Sequence, residues 1–180
     1  MPNVTVDVSR AGLWDAEALS DVAAATFPLA CPPHATPDDI GIFINDVLSF
    51  ERFGEYLSLT SHTVLKAVDD DKIVGYVMLI AGEPSDPALG AELPAGPLIE
   101  ISKMYVLPGR HGTGVATALM NASVELARQT GKCAIWLGVN QHNKRAQRFY
   151  TKHGFERIGE KTFQVGSQTH HDFVMCRRLG

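Results

Sequence analysis

Between residues 98 and 130 a β-type run passes through Gly109, Gly112 and Gly114 directly into an amphipathic helical pattern. A strand that turns into a helix through glycines is suited to an anion: Gly112 and Gly114 permit close backbone approach, and the free N–H groups and positive dipole end of the first helical turn face it. An ordinary tight turn uses glycines as well, so the neighbours must decide. Gly112-x-Gly114-x-x-Thr117 lacks the third glycine of a dinucleotide fingerprint, and the next strand ends at Gly138-Val139-Asn140 without a carboxylate for a ribose. A P-loop fails too, because no Lys-Ser or Lys-Thr pair follows the glycines at the required spacing. His170-His171-Asp172 brings metal-ligand types together, but successive strand residues point to opposite faces, so ordinary strand polarity is the reading and no metal is expected. Cys31, Cys133 and Cys176 form no CxxC or CxxxC pair. Cys133 and Cys176 fall in strand-like runs and read as small buried hydrophobes, whereas Cys31, in a Pro-rich stretch, is the thiol expected to be accessible.

The elements that position these residues follow from periodicity. Residues 3–8 alternate as a short half-buried strand, and 13–27 repeat apolar residues at helical spacing, with Pro28, Pro32 and Pro33 closing the segment. Thr36 before Pro37 makes a cap and first-turn pair for a helix over 37–48, continued by a shorter one near 50–59. Two strands, 63–68 and 72–80, flank Asp69-Asp70-Asp71 as a hairpin. Residues 82–97, with Pro84, Pro87, Pro94 and Pro97, read as a surface loop. Strand 98–106, helix 112–130 and strand 133–139 form a βαβ crossover. A helix from Asn143 to about 152 ends at Gly154, and 155–165 with 170–177 make a final strand pair.

Composition narrows the function classes. The 180 residues are 45% hydrophobic and 20% charged, the range of one globular domain, here taken as 1–180. A net charge of −4 is too mild to argue for nucleic acid or an anionic membrane surface, so neither is expected as a partner. The start of the chain lacks a basic segment followed by an apolar run and cleavage site, and no apolar stretch approaches the roughly 20 residues of a membrane span. With unpaired cysteines, a reduced cytoplasmic setting is the expectation.

The strand Glu100-Ile-Ser-Lys-Met-Tyr-Val106, the turn His111-Gly-Thr-Gly-Val-Ala116, the strand Ile135-Trp-Leu-Gly-Val139, and the run from Asn143 through Phe149-Tyr150-x-Lys152-x-Gly154-Phe155 together resemble the GNAT superfamily of acyl-CoA N-acyltransferases. The resemblance covers most of the chain. Thr26-Phe27, Trp136 to Val139, residues 155–159, Phe163-x-x-Gly166 and His171-Asp172 are similar to bacterial spermidine/spermine N-acetyltransferases of the PaiA type. One departure is that the turn begins with His111, after Arg110, where the family usually has Gln or Arg.

The resemblance implies an α/β fold with a mixed, mostly antiparallel central sheet, helices on both faces and a V-shaped splay between two parallel strands. It implies acetyl-CoA as cosubstrate, lying in that splay. Its pyrophosphate would rest on the amides of His111, Gly112, Thr113, Gly114, Val115, Ala116 and Thr117, and its pantetheine and thioester along the backbone of Met104, Tyr105 and Val106. Asn143 matches the residue that bonds the pantetheine arm, and Lys152 would approach a phosphate. A lysine-like amine, with a pKa of roughly 10.4, is almost wholly protonated near neutrality, so direct transfer needs a proton acceptor. Glu100 matches the glutamate several members use as general base. Ser102 stands where many others carry a second carboxylate, which leaves Glu100 the sole acid in this strand. Tyr150 would protonate the departing thiolate.

The reaction implied is acetyl transfer to a primary amine of a small molecule, a polyamine within the PaiA-type resemblance. The acceptor should enter between the first two helices and the terminal hairpin, with Phe27, Leu29, His34, Asp38, Asp39, Glu83 and Glu100 as wall residues. Two other readings stay open: an acyl-CoA-binding sensor or scaffold without turnover, and transfer to protein or peptide amines. Homodimerisation is common in the superfamily and would use the terminal strands; monomer and dimer both remain open.

Overall fold

The computed structural model describes residues 6–109 and 114–180. They are built on one seven-stranded sheet: β1 Asp7–Arg10, β2 His62–Asp69, β3 Lys72–Ala81, β4 Leu98–Val106, β5 Ala134–Asn140, β6 Glu156–Val165 and β7 Gln168–Arg178. The spatial order is β1-β2-β3-β4-β5-β7-β6, and every neighbouring pair is antiparallel except β4 with β5. The turns explain the hairpins. Asp70 and Asp71 both take positive φ, 52° and 61°, the conformation of a two-residue turn whose twist matches that of the strands. Gly166, at φ 59°, does the same between β6 and β7.

Helices α1 Ala16–Ala30, α2 Pro37–Val47 and α3 Phe50–Ser58 cover one face beside β1 to β4. Helix α5 Val115–Gln129 covers the other. On the α5 side the core is aliphatic, with Leu79, Ile101, Leu119, Ile135 and Leu137 all buried. On the opposite side Phe27, Phe53, Tyr56 and Tyr76 pack under α1 to α3, while Leu89, Leu98, Trp136 and Cys176 form a smaller cluster.

Three expectations change. Helix α1 runs through Pro28 to Ala30, because a proline in the final turn removes only one hydrogen bond, that to the Ala24 carbonyl. Residues 82–97 contain a short helix, α4 Pro87–Glu92: Asp86 accepts from the Ala88 N–H at 3.0 Å and Pro87 takes the first helical position, where its missing N–H costs nothing. Cys31 is half-buried against the α1 to α3 cluster, and burial pushes its thiol up to about 11, away from a reactive thiolate. The remaining helix, α6 Lys144–Lys152, is capped by Asn143, whose Oδ1 accepts from the Ala146 N–H.

Candidate active site

Two irregularities in β4 create the site. The first lies at Ser102: Met78 of β3 faces Lys103 while Leu79 faces Ile101, so Ser102 is the extra residue of a bulge. The bulge resets the alternation of side chains. Ile101 and Met104, three apart, both pack toward α5, and Glu100, Lys103 and Tyr105 all fall on the opposite face. The second is a divergence. The β4–β5 pairing runs from Leu98 with Ala134 to Ile101 with Leu137 and stops, although β4 continues to Val106 and β5 to Asn140. Leu107 donates to the Val74 carbonyl at 2.8 Å, so alternation turns the amides of Val106 and Met104 away from β3, into the opening.

Glu100 lies at one end of the opening, in the wall of a cavity of about 410 Å³ that Ile80, Glu83, Asp86, Trp136 and Lys161 also line. Burial raises the pKa of its carboxyl, against the opposing pull of Lys161 and Lys103. Lys103 is pushed down to about 8, chiefly by burial, although Glu100 favours its charge. Its ammonium stands 5.3 Å from the centre of the Tyr56 ring and donates to Ser102 Oγ at 3.2 Å. Lys161 reaches from β6 over Gly138 of β5, and its Nζ is 3.9 Å from Asp172 Oδ2. Burial raises the Asp172 carboxyl as well.

Tyr150 lies on α6, half-buried, with its ring 5.5 Å from that of Phe149 and 5.8 Å from that of Phe155. Burial pushes its hydroxyl up to about 12, so it is protonated at neutral pH. It is felt electrostatically by Tyr105. At the start of α5, Gly114 has φ 91°, Val115 is buried, Ala116 half-buried and Thr117 exposed. His111, Gly112 and Thr113 lie outside the described residues. Asn143 already spends its Oδ1 on the α6 cap, and Lys152 is exposed.

The expected acceptor wall divides. Glu83 and Glu100 meet in the cavity. Phe27, Leu29, His34, Asp38 and Asp39 do not line it. Phe27 is a core residue stacked on Phe43 at 4.4 Å, Leu29 is 66% exposed, and Asp38 is exposed. Asp39 is buried and accepts from the Ser167 N–H at 2.9 Å and its hydroxyl at 3.1 Å, tying α2 to the β6–β7 turn. The Ser167 amide is the largest cause lowering its pKa. His34 shares a 3.1 Å hydrogen bond with His170. Sequence reasoning missed Lys103, Trp136 and Lys161; the one available signal was Gly138, a strand glycine that marks a close approach. His170 is buried and His171 exposed, as strand alternation requires, and no group of three or more His, Cys, Asp or Glu among the described residues is placed to hold a metal. No helix among them is long and apolar enough to cross a membrane.

Comparison with known proteins agrees with this geometry. The model of the acetyltransferase (GNAT) family matches residues 24–155. An uncharacterized N-acetyltransferase of Mycobacterium tuberculosis is 47% identical over 167 residues, 93% of this chain and 99% of that one. Among solved structures, the PaiA N-acetyltransferase of Thermoplasma acidophilum in complex with coenzyme A superposes with a TM-score of 0.77 at 18% identity, over 97% of this chain and 99% of that one. Arabidopsis thaliana NAA60 in complex with a bisubstrate analogue gives 0.76 at 17%, over 98% and 100%. The sheet with its one parallel, diverging pair is the fold of those structures, and the chain belongs to the GNAT acetyltransferase family, N-acetyltransferases that use acetyl-CoA as cosubstrate.

Proposed function

We propose that the chain, acting as one GNAT domain, transfers the acetyl group of acetyl-CoA directly to the primary amine of a small cationic molecule held in the Glu100 cavity. The observation that carries this reading is Glu100 itself: a carboxylate with a raised pKa, in the wall of a cavity at the point where β4 and β5 part. A base held above the ordinary carboxylate range matches its affinity for protons better to an ammonium near neutrality. Glu100 takes the proton of the acceptor, directly or through water. The Met104 and Val106 amides hold the thioester arm and polarise its carbonyl as charge develops there. Tyr150, protonated until about pH 12, returns a proton to the departing thiolate. The first turn of α5 with residues 111–113 receives the pyrophosphate, and Asn143 and Lys152 flank the rest of the coenzyme.

Among the described residues the cavity lining carries three carboxylates, Glu83, Asp86 and Glu100, against the single cation Lys161, which favours a cationic acceptor, and a polyamine is the class we name. Residues between Gly82 and Leu89 add to the lining of the cavity, which favours a small molecule over an extended peptide. Unpaired cysteines suit a cytoplasmic enzyme. Thiol release from acetyl-CoA, measured with spermidine, spermine, aminoglycosides, amino acids and lysine peptides, tests the reading. Turnover selective for polyamines, and lost in Glu100→Gln and Tyr150→Phe, is the expected result. Tight coenzyme binding without transfer to any of these amines would turn the assignment toward an acyl-CoA-binding module.

A further inference from the structure

We propose that Lys161 is itself an acceptor, and that the enzyme acetylates its own Lys161 Nζ when no amine occupies the cavity. The inference rests on the transferase reading above. Lys161 belongs to β6, the edge strand, yet its side chain does not turn to solvent. It crosses β7 beside its register partner Asp172 and comes to rest over Gly138 of β5, with Nζ 3.1 Å from where a Cβ on that glycine would stand. Any larger residue at 138 would displace it. Gly138 directly follows Leu137, the last residue of β5 paired with β4, so this primary amine is held at the vertex of the opening. It is on the face that carries Glu100, lines the same cavity as that carboxylate and interacts with it electrostatically. The cavity proposed for the acceptor amine is thus lined, beside its base, by an ammonium that the chain itself supplies.

The chemistry balances with the groups at hand. Glu100 removes one proton from the Lys161 ammonium, the resulting amine forms a bond to the acetyl carbonyl carbon as the carbon–sulfur bond breaks, the thiolate takes a proton from Tyr150, and the second proton of the nitrogen restores the Tyr150 hydroxyl while Glu100 releases its own to solvent. The products are Nε-acetyl-lysine at 161 and free coenzyme A. A tethered nucleophile has no encounter to make, so its reaction is first order in the protein. An amine in the cavity competes for the same acetyl group, and acetylation removes the charge that faces Asp172.

The test is incubation of the purified full chain with acetyl-CoA and no amine, followed by intact mass and peptide mapping. The expected result is one acetyl group per chain, located on Lys161, with a first-order rate constant that is independent of protein concentration and is lowered by added spermidine. Glu100→Gln should slow it by at least about 100-fold, and Lys161→Arg should remove it. Modification spread over surface lysines, a rate constant that grows with protein concentration, or an unchanged rate in Glu100→Gln would overturn the proposal. If the amine panel is acetylated while Lys161 stays unmodified, self-acetylation fails and the transferase reading stands; if neither takes an acetyl group, both fail.

Discussion

The two faces of the sheet are built for opposite tasks. Toward α5 the interior is a continuous aliphatic layer in which Leu79, Ile101, Leu119, Met120 and Ile135 are at most 3% exposed. On the opposite face β4, β6 and β7 carry Glu100, Lys103, Lys161, Asp172 and His170, and buried polar atoms such as Trp136 Nε1 and Asp172 Oδ1 have no hydrogen-bond partner among the described residues. An unpaired buried polar atom costs stability, so a fold keeps several on one face only where something else meets them. The dry face fixes the strands, and the polar face is where their geometry is used.

The comparison breaks most sharply at Glu100. Replacing it with Gln should lower kcat/KM for an amine by about 100-fold or more. Burial raises the wild-type carboxyl, and a base acts only when deprotonated, so wild-type activity should rise with pH through a limb above the ordinary carboxylate range. Lys161 and Lys103, facing it, hold that limb lower than burial alone would. In Glu100→Gln the limb should vanish, leaving only the rise set by the acceptor's own amine. A pH–rate profile with the same limb in both proteins would remove Glu100 from the role of base.

On the opposite face the response should be purely structural. Leu119 is fully buried in the aliphatic layer, and Leu119→Ala should cost about 2–5 kcal/mol of stability through lost transfer energy and the cavity left behind. Urea unfolding measures the loss, and the KM for the amine should be unchanged in the folded fraction. A shifted KM would mean that the two faces are coupled more closely than their packing indicates.

How much of this was legible depended on range. Strand β4 was readable to its ends, 98 and 106, and so was the crossover, because period-two and helical patterns are local. The bulge at Ser102 was not. Strict alternation places Glu100 and Lys103 on opposite faces, and the single extra residue brings them to the same one. Nor does any pattern announce that Asp39 is taken by Ser167, 128 residues away, or that Lys161 crosses β7 to reach Gly138. Glu100 was identifiable by position in a motif, but its cationic company was assembled by tertiary contact. Pro87 misled in the other direction: at a helix start proline is a promoter, and counting it as a breaker hid α4.

The smallest effect tests the polar face through stability alone. Lys103 carries a folded-state pKa of about 8 against an ordinary 10.5. Below pH 8 it is protonated in both folded and unfolded chains, and the cost of burying its charge is present in full. Between 8 and 10.5 the unfolded chain still binds the proton while the folded one releases it, so wild-type stability should gain as pH rises through that window. Lys103→Met removes the titrating group. Its advantage over wild type should therefore be greatest at neutral pH and shrink toward pH 10.5, by at most about 3 kcal/mol. Loss of the contact with the Tyr56 ring offsets about 0.5–1 kcal/mol of that advantage at neutral pH. Glu100 on one side and Arg52 and Lys161 on the other set where the window falls, so Glu100→Gln should move it to lower pH. Urea unfolding of both proteins across this range decides it: a difference that stays constant with pH would mean that Lys103 keeps its ordinary proton affinity in the fold.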